Sequence, residues 1–226
     1  MGLPLYVQSA NLAHMRDIAL TAFANFFVIL DPIGVVPFFI TLTAGMTPAD
    51  RRATAFKSVA IATMILLVFT VIGRPLLHYL GITLAAFRVA GGILLFLLAI
   101  DMVLVKESGI RSTTPKEDEE AAHRRPDVAT FPLAIPLIAG PGAIASVILM
   151  QGERIGDVAG QIVTAAVMVG VLVLTGVSFL ASTRIMGLLG LTGINVMTRV
   201  LGIILAALAA NNVIEGVRAS FPQSSL

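Results

Sequence analysis

The residue best placed for chemistry is Asp31, a carboxylate within Leu30-Asp31-Pro32-Ile33-Gly34-Val35-Val36-Pro37. An acid in such apolar company is costly in a membrane and reads by default as a proton site or ion ligand. Its neighbours predict a broken helix. Pro32 and Pro37 each remove a backbone donor and crowd the preceding turn, and Gly34 loosens the chain between them. Asp31 before Pro32 also reads as an N-cap followed by a proline at the first helical position. A helix should therefore stop near Leu30 and restart after Asp31. A second break is expected at Pro136-Leu137-Ile138-Ala139-Gly140-Pro141-Gly142, where Gly140 stands in the place of Asp31. Each restart offers free N–H groups and a positive dipole end, which suit a carboxylate. The plainer alternatives are that the prolines only kink packed helices and that Asp31 only caps.

Other polar residues carry weaker signals. Asn25, six residues before Asp31, is placed to bond either a substrate or a neighbouring helix. Asp101, with Asn212 as its counterpart in the second half, reads as snorkelling to the interface. Arg88 and Arg199 lie just inside their apolar segments, where snorkelling competes with an ion pair or a gate. Gly91, Gly92, Gly170 and Gly176 read as close helix contacts. His14, His78 and His123 have no zinc spacing, and Cys is absent, which removes disulfides and thiolate chemistry. No phosphate loop, nucleophile elbow or H-E-x-x-H occurs. No enzyme, metal or cofactor is expected.

The elements that position these residues follow from composition. Of 226 residues, 57% are hydrophobic and 12% charged, against about a quarter charged in soluble domains; the mean hydropathy is +0.96. Such a chain belongs in a lipid bilayer. With no Trp, the interfacial belt must rest on Tyr6, Tyr79 and a few Phe. A span needs about 20 apolar residues. Six candidates occur, at 18–43, 59–79, 84–105, 128–150, 158–181 and 194–214. The start of the chain lacks a signal peptide's basic region and cleavage site, so the first span should stay in the mature protein. Residues 106–127, with Lys116-Glu117-Asp118-Glu119-Glu120 and Arg124-Arg125, read as a solvated cytoplasmic linker.

The second half repeats the first. Leu80-Gly81-Ile82-Thr83 returns 109 residues later as Leu189-Gly190-Leu191-Thr192, Asp31-Pro32 aligns with Gly140-Pro141 at the same offset, and Arg88-Val89-Ala90-Gly91 returns 111 residues later as Arg199-Val200-Leu201-Gly202. Three spans per copy force opposite orientations, the plan of many secondary transporters. The fold expected is an all-α membrane protein of two inverted three-helix repeats, residues 1–105 and 128–226, with the first and fourth helices broken near the midplane. Loop charge sets the orientation. Nine cations (Arg51, Arg52, Lys57, Lys106, Arg111, Lys116, Arg124, Arg125, Arg184) fall on one side and four (Arg16, Arg74, Arg154, Arg218) on the other. That places both termini outside the cytoplasm. The net charge of +2, dispersed between apolar segments, gives no sign of a nucleic-acid partner.

The run Asn25-Phe26-Phe27-Val28-Ile29-Leu30-Asp31-Pro32-Ile33-Gly34-Val35-Val36-Pro37-Phe38 resembles a signature of the MarC family. Phe131-Pro132-Leu133-Ala134-Ile135-Pro136-Leu137-Ile138-Ala139-Gly140-Pro141-Gly142 is similar to its second signature. The resemblance extends over residues 18–217 and gives nothing for the linker. It implies a membrane protein historically linked to multiple antibiotic resistance and classed with neutral amino acid transporters, with glycine or alanine as substrate and protons as the driving force. The expectation is a secondary transporter of the inner membrane. Asn25, Asp31, Pro32, Gly34, Gly140, Pro141 and Gly142 would form the substrate site, with Asp31 also the coupling group. The helix N-termini would hold the substrate carboxylate, while backbone carbonyls with Asn25 or Asp31 would hold its ammonium. The alternatives are a non-transporting protein that affects drug sensitivity indirectly, or a drug or metal-ion efflux protein. Transport direction, the exact substrate, the coupling ion and homo-oligomerisation stay open.

Overall fold

The structure, a computed structural model, describes residues 5–104 and 127–221, with side chains from Leu12 onward in the first helix. The predicted linker therefore lies outside the described residues except for Asp127. Eight helical segments follow one another, and no strand occurs among the described residues. Five are long and apolar enough to cross a membrane. A sixth crossing results if one pair bent by 54° is taken as a single span.

Helix α1 (Leu5–Leu30) runs 26 residues, about 39 Å at 1.5 Å per residue. It ends where Pro32 denies it a further donor. Asp31 takes a left-handed φ of 44°, a conformation that Asp tolerates better than most side chains. The turn 32–35 leads into the short α2 (Val36–Leu42), with Pro37 in its first turn. The first span is thus divided unequally, with 26 residues before the break and seven after.

Helix α3 (Pro48–Tyr79) starts well before its apolar core because Thr47-Pro48-Ala49-Asp50 is a helix start. The Thr47 hydroxyl accepts from the Asp50 N–H at 3.2 Å and donates to the Asp50 carboxylate at 2.7 Å. Arg51, Arg52 and Lys57 ride on this extension. Helix α4 (Leu84–Leu104) begins after Thr83, whose hydroxyl accepts from the Ala86 N–H.

In the second half, α5 (Ala129–Ile138) winds in wide turns. Phe131 and Ile135 are extended, each forced there by the proline that follows it. Helix α6 (Pro141–Gly152) follows at the bend. Helix α7 (Val158–Leu180) is capped by Asp157, which accepts from the Gly160 N–H at 2.8 Å. Helix α8 (Ser182–Ser220) is interrupted at Gly190 (φ 63°). Gly81, its match in the first half, has a φ of 69°. Both positions require the left-handed region that glycine enters freely.

Packing is reciprocal between the halves. Helix α4 lies along α8, α1 packs on α7 as α5 does on α3, and α2 meets α8 as α6 meets α4. Lipid is as apolar as leucine, so close approach rather than water exclusion holds such helices together. Small residues make the approach. A Cβ on Gly92 would strike Val213 and the Ala209 carbonyl, and one on Gly202 would strike Met102. Gly170, expected at a contact, faces open space. The outer faces carry Val71, Ile162 and Ile203, all well over half exposed, as a lipid-facing surface should.

Candidate functional site

Asp31 is wholly buried. Its Oδ1 accepts from the Gly34 N–H at 3.0 Å, and its backbone carbonyl accepts from the Val35 N–H at 3.2 Å. The side chain thus caps the turn after the break, as the Asp-Pro sequence requires. Its Oδ2 accepts from the Thr198 hydroxyl of α8 at 3.2 Å. One carboxylate therefore joins the broken backbone of the first half to a helix of the second. A Cβ on Gly34 would fall on the Asp31 carboxylate and the Thr198 hydroxyl, so any side chain here would displace both groups. Pro32 and Gly34 are both buried.

The second break is built differently. Gly140 is extended (φ −78°, ψ 171°) and is the N-cap of α6, with Pro141 at the first helical position and no side-chain cap. A Cβ on Gly140 would lie 2.5 Å from the Pro136 carbonyl oxygen, and one on Gly142 would press on Leu95 and Leu98. Gly142 is buried, Gly140 partly so, and Pro141 is exposed. A cavity of about 10 Å³ lies here, lined by Ile29, Leu98, Pro136 and the residues around Gly140. It holds one water at most. Ile29, two residues from Asp31, brings the end of α1 against this second break.

Asn25 is half-buried and accepts from the Ser146 hydroxyl of α6 at 3.2 Å. Of its two readings, the structure shows the bond to a neighbouring helix. Asp101 is buried in α4, which replaces the snorkelling expected of it. Arg88 does not snorkel either. Its guanidinium pairs with Glu215 of α8 at 3.0 Å and with Glu153 at the end of α6, and the Asn211 amide donates to Glu215. Arg199 is exposed. The positions that match Glu153 and Glu215 in the first half are Ala44 and Leu104, so the two acids have no counterparts at those positions. Outside the spans, Asp127 lies 2.6 Å from Lys57. That hydrogen bond, with one from Thr130, holds the Asp127 carboxyl below its usual range. No cluster of metal-ligating side chains occurs among the described residues.

Sequence reasoning missed Thr198, Ser146, Glu153 and Glu215. Thr198 has no polar counterpart in the first half, and the acids lie at span ends, where only cations were counted. The one signal available was the spacing of Asn211 and Glu215, which puts both on one helix face.

Comparison with known proteins agrees with this architecture. A family profile described as "MarC family integral membrane protein" matches residues 17–221. The UPF0056 membrane protein MJ1677 of Methanocaldococcus jannaschii is 38% identical over 199 residues, covering 87% of this chain and 94% of the relative. The UPF0056 membrane protein YvbG of Bacillus subtilis is 38% identical over 203 residues, covering 88% and 94%. YhcE of Escherichia coli, another UPF0056 membrane protein, is 33% identical over 203 residues, covering 88% and 92%. No solved structure matches. With both signatures at helix breaks and the match running from α1 to the end of α8, the chain belongs to the MarC family of integral membrane proteins.

Proposed function

We propose that this protein is a secondary transporter that carries small neutral amino acids, of glycine or alanine size, across the inner membrane and couples them to protons through Asp31. The observation that carries the proposal is the buried Asp31 carboxylate, set in a backbone break and bonded by Thr198 from the other half. Capping alone does not need a titratable group, since a neutral Asn caps such a turn equally well. Burying one is expensive, and alternating access uses such a site between two repeats.

The reciprocal helix packing and the matched left-handed glycines 81 and 190 support two inverted repeats, 1–105 and 128–226, joined by a cytoplasmic linker, 106–127. Both termini then lie outside, on the side poorer in cations. A zwitterion presents its carboxylate to the uncapped start of α6 and its ammonium to the carbonyls of the breaks. It brings no net charge to be desolvated. Glycines 34, 140 and 142 bring the backbone close and leave little room for a large side chain. The cavity beside Gly140 is about 10 Å³, so the site is closed here, and admission of substrate requires the α5–α6 bend to part from α1 and α4.

Uptake of labelled alanine into proteoliposomes, with and without an imposed pH gradient, is the test. Gradient-dependent uptake that alanine amide does not compete supports the reading. Equal competition by the amide removes the helix-terminus site, and no uptake at any gradient leaves a non-transporting membrane protein.

A further inference from the structure

We infer that the end of the molecule carrying Arg51 and Arg52 holds a binding site for a phosphate-bearing anion. The site is separate from the two helix breaks and does not depend on the transport reading. A cavity of about 180 Å³ opens between the start of α3, the end of α7 and the start of α8. Its wall carries Arg51, Arg52, Ser182 and Thr183, its floor is Phe39 and Phe179, and among the described residues no acidic side chain lines it. The nearest acid in sequence, Asp50, is taken up by Thr47.

The groups are already arranged for an anion. Arg51 donates to the Ser182 hydroxyl at 3.1 Å, and its guanidinium lies 5.7 Å from the centre of the Phe39 ring. Phe39 in turn stacks on Phe179, with centroids 4.4 Å apart and planes 7° from parallel. A guanidinium held on an aromatic face keeps its remaining N–H groups free in a fixed fork, the geometry that meets phosphate in two parallel bonds. Ser182 is buried. Because its oxygen accepts from Arg51, its own hydrogen is available to donate. Arg52 supplies a second, exposed cation at the rim. Two guanidiniums with no acid between them among the described residues favour an anion over a zwitterion, so this site and the closed site beside Gly140 select different ligands. The phosphate comes either from an anionic phospholipid headgroup or from solution, and the chemistry is the same.

The test uses the purified full chain in detergent, titrated separately with inorganic phosphate, phosphatidylglycerol and phosphatidylcholine. Binding is read directly and as a shift in the heating midpoint for loss of monodisperse protein. Stabilisation by phosphatidylglycerol alone identifies the lipid source, and stabilisation by inorganic phosphate as well identifies the free anion. Arg52→Gln should weaken either by about tenfold, as expected for one charge-assisted hydrogen bond. Arg51 also ties α3 to α8, so Ser182→Ala is the second variant, expected to weaken binding without removing either charge. The proposal is overturned if neither anionic probe shifts the wild type, if phosphatidylcholine shifts it equally, or if both variants bind as the wild type does.

Discussion

The two helix breaks occupy matching places in the two halves, yet they solve the same backbone problem in opposite ways. At the first, a side chain does the work. Asp31 folds its carboxylate over Gly34, takes a hydroxyl from α8 and seals the turn from solvent. At the second, nothing caps the restarted helix. Gly140 is half-buried, Pro141 is exposed, and a water-sized hole remains beside them. Proline and glycine fix where the chain breaks, while the local side chain decides whether the break is capped or left open. In the proposed transporter this is a division of labour, with the proton on the sealed break and the substrate on the open one.

Four changes test this contrast. The largest effect is expected from Gly140→Ala, whose methyl would meet the Pro136 carbonyl, a backbone atom unable to rotate away. The cost should be about 2–3 kcal/mol of stability with loss of uptake, measured by thermal unfolding in detergent and by proteoliposome flux. A variant as stable as wild type would show that the second break has more freedom than its packing allows. Next is Asp31→Asn, which keeps a capping oxygen and removes the titratable proton. Stability should change by less than about 1 kcal/mol, while uptake should lose its dependence on the pH gradient. Unaltered dependence would reduce Asp31 to a cap. Thr198→Val removes one hydroxyl donor at similar volume and should cost about 1 kcal/mol, with a shifted pH profile for uptake and an unchanged preference for alanine over leucine.

The smallest effect concerns Lys57 and Asp127, outside the spans. The Lys57 ammonium lowers the Asp127 carboxyl in the folded chain. The pair's stabilisation is therefore complete above the ordinary carboxylate range and is lost as pH falls through the lower, folded value. Both partners are about half exposed, so solvent screening holds the effect under about 1 kcal/mol. Lys57→Met should flatten the acid side of the stability curve slightly and leave transport unchanged.

Much of this was legible in the sequence because prolines, glycines and caps act locally. The Asp31-Pro32 and Gly140-Pro141 breaks and the six apolar segments each announce themselves within a few residues. Charge and apolarity also located the spans, although they hid the true length of α3, whose capped start lies in polar sequence before Val59. The partners were not legible. Thr198 meets Asp31 across 167 residues and Arg88 meets Glu215 across 127, separations at which no periodicity carries information. Ser146, which bonds Asn25, sits in a helix so evenly buried that no face stands out. Such contacts are set by how the halves dock, and the docking is not encoded in any one segment.

The Arg88 cluster has a further consequence. It ties α4, α6 and α8 together at the end of the molecule opposite Arg51, and the first half supplies only Ala44 and Leu104 where the acids would stand. Two perfectly equivalent halves would have no reason to prefer facing one way over the other. Among the described residues this three-helix cluster sets one end apart from the other, and about 1.4 kcal/mol already makes a tenfold difference in occupancy. In the proposed transporter such a cluster biases which way the unloaded protein faces, and emptying it with Arg88→Gln would move that balance without touching either break.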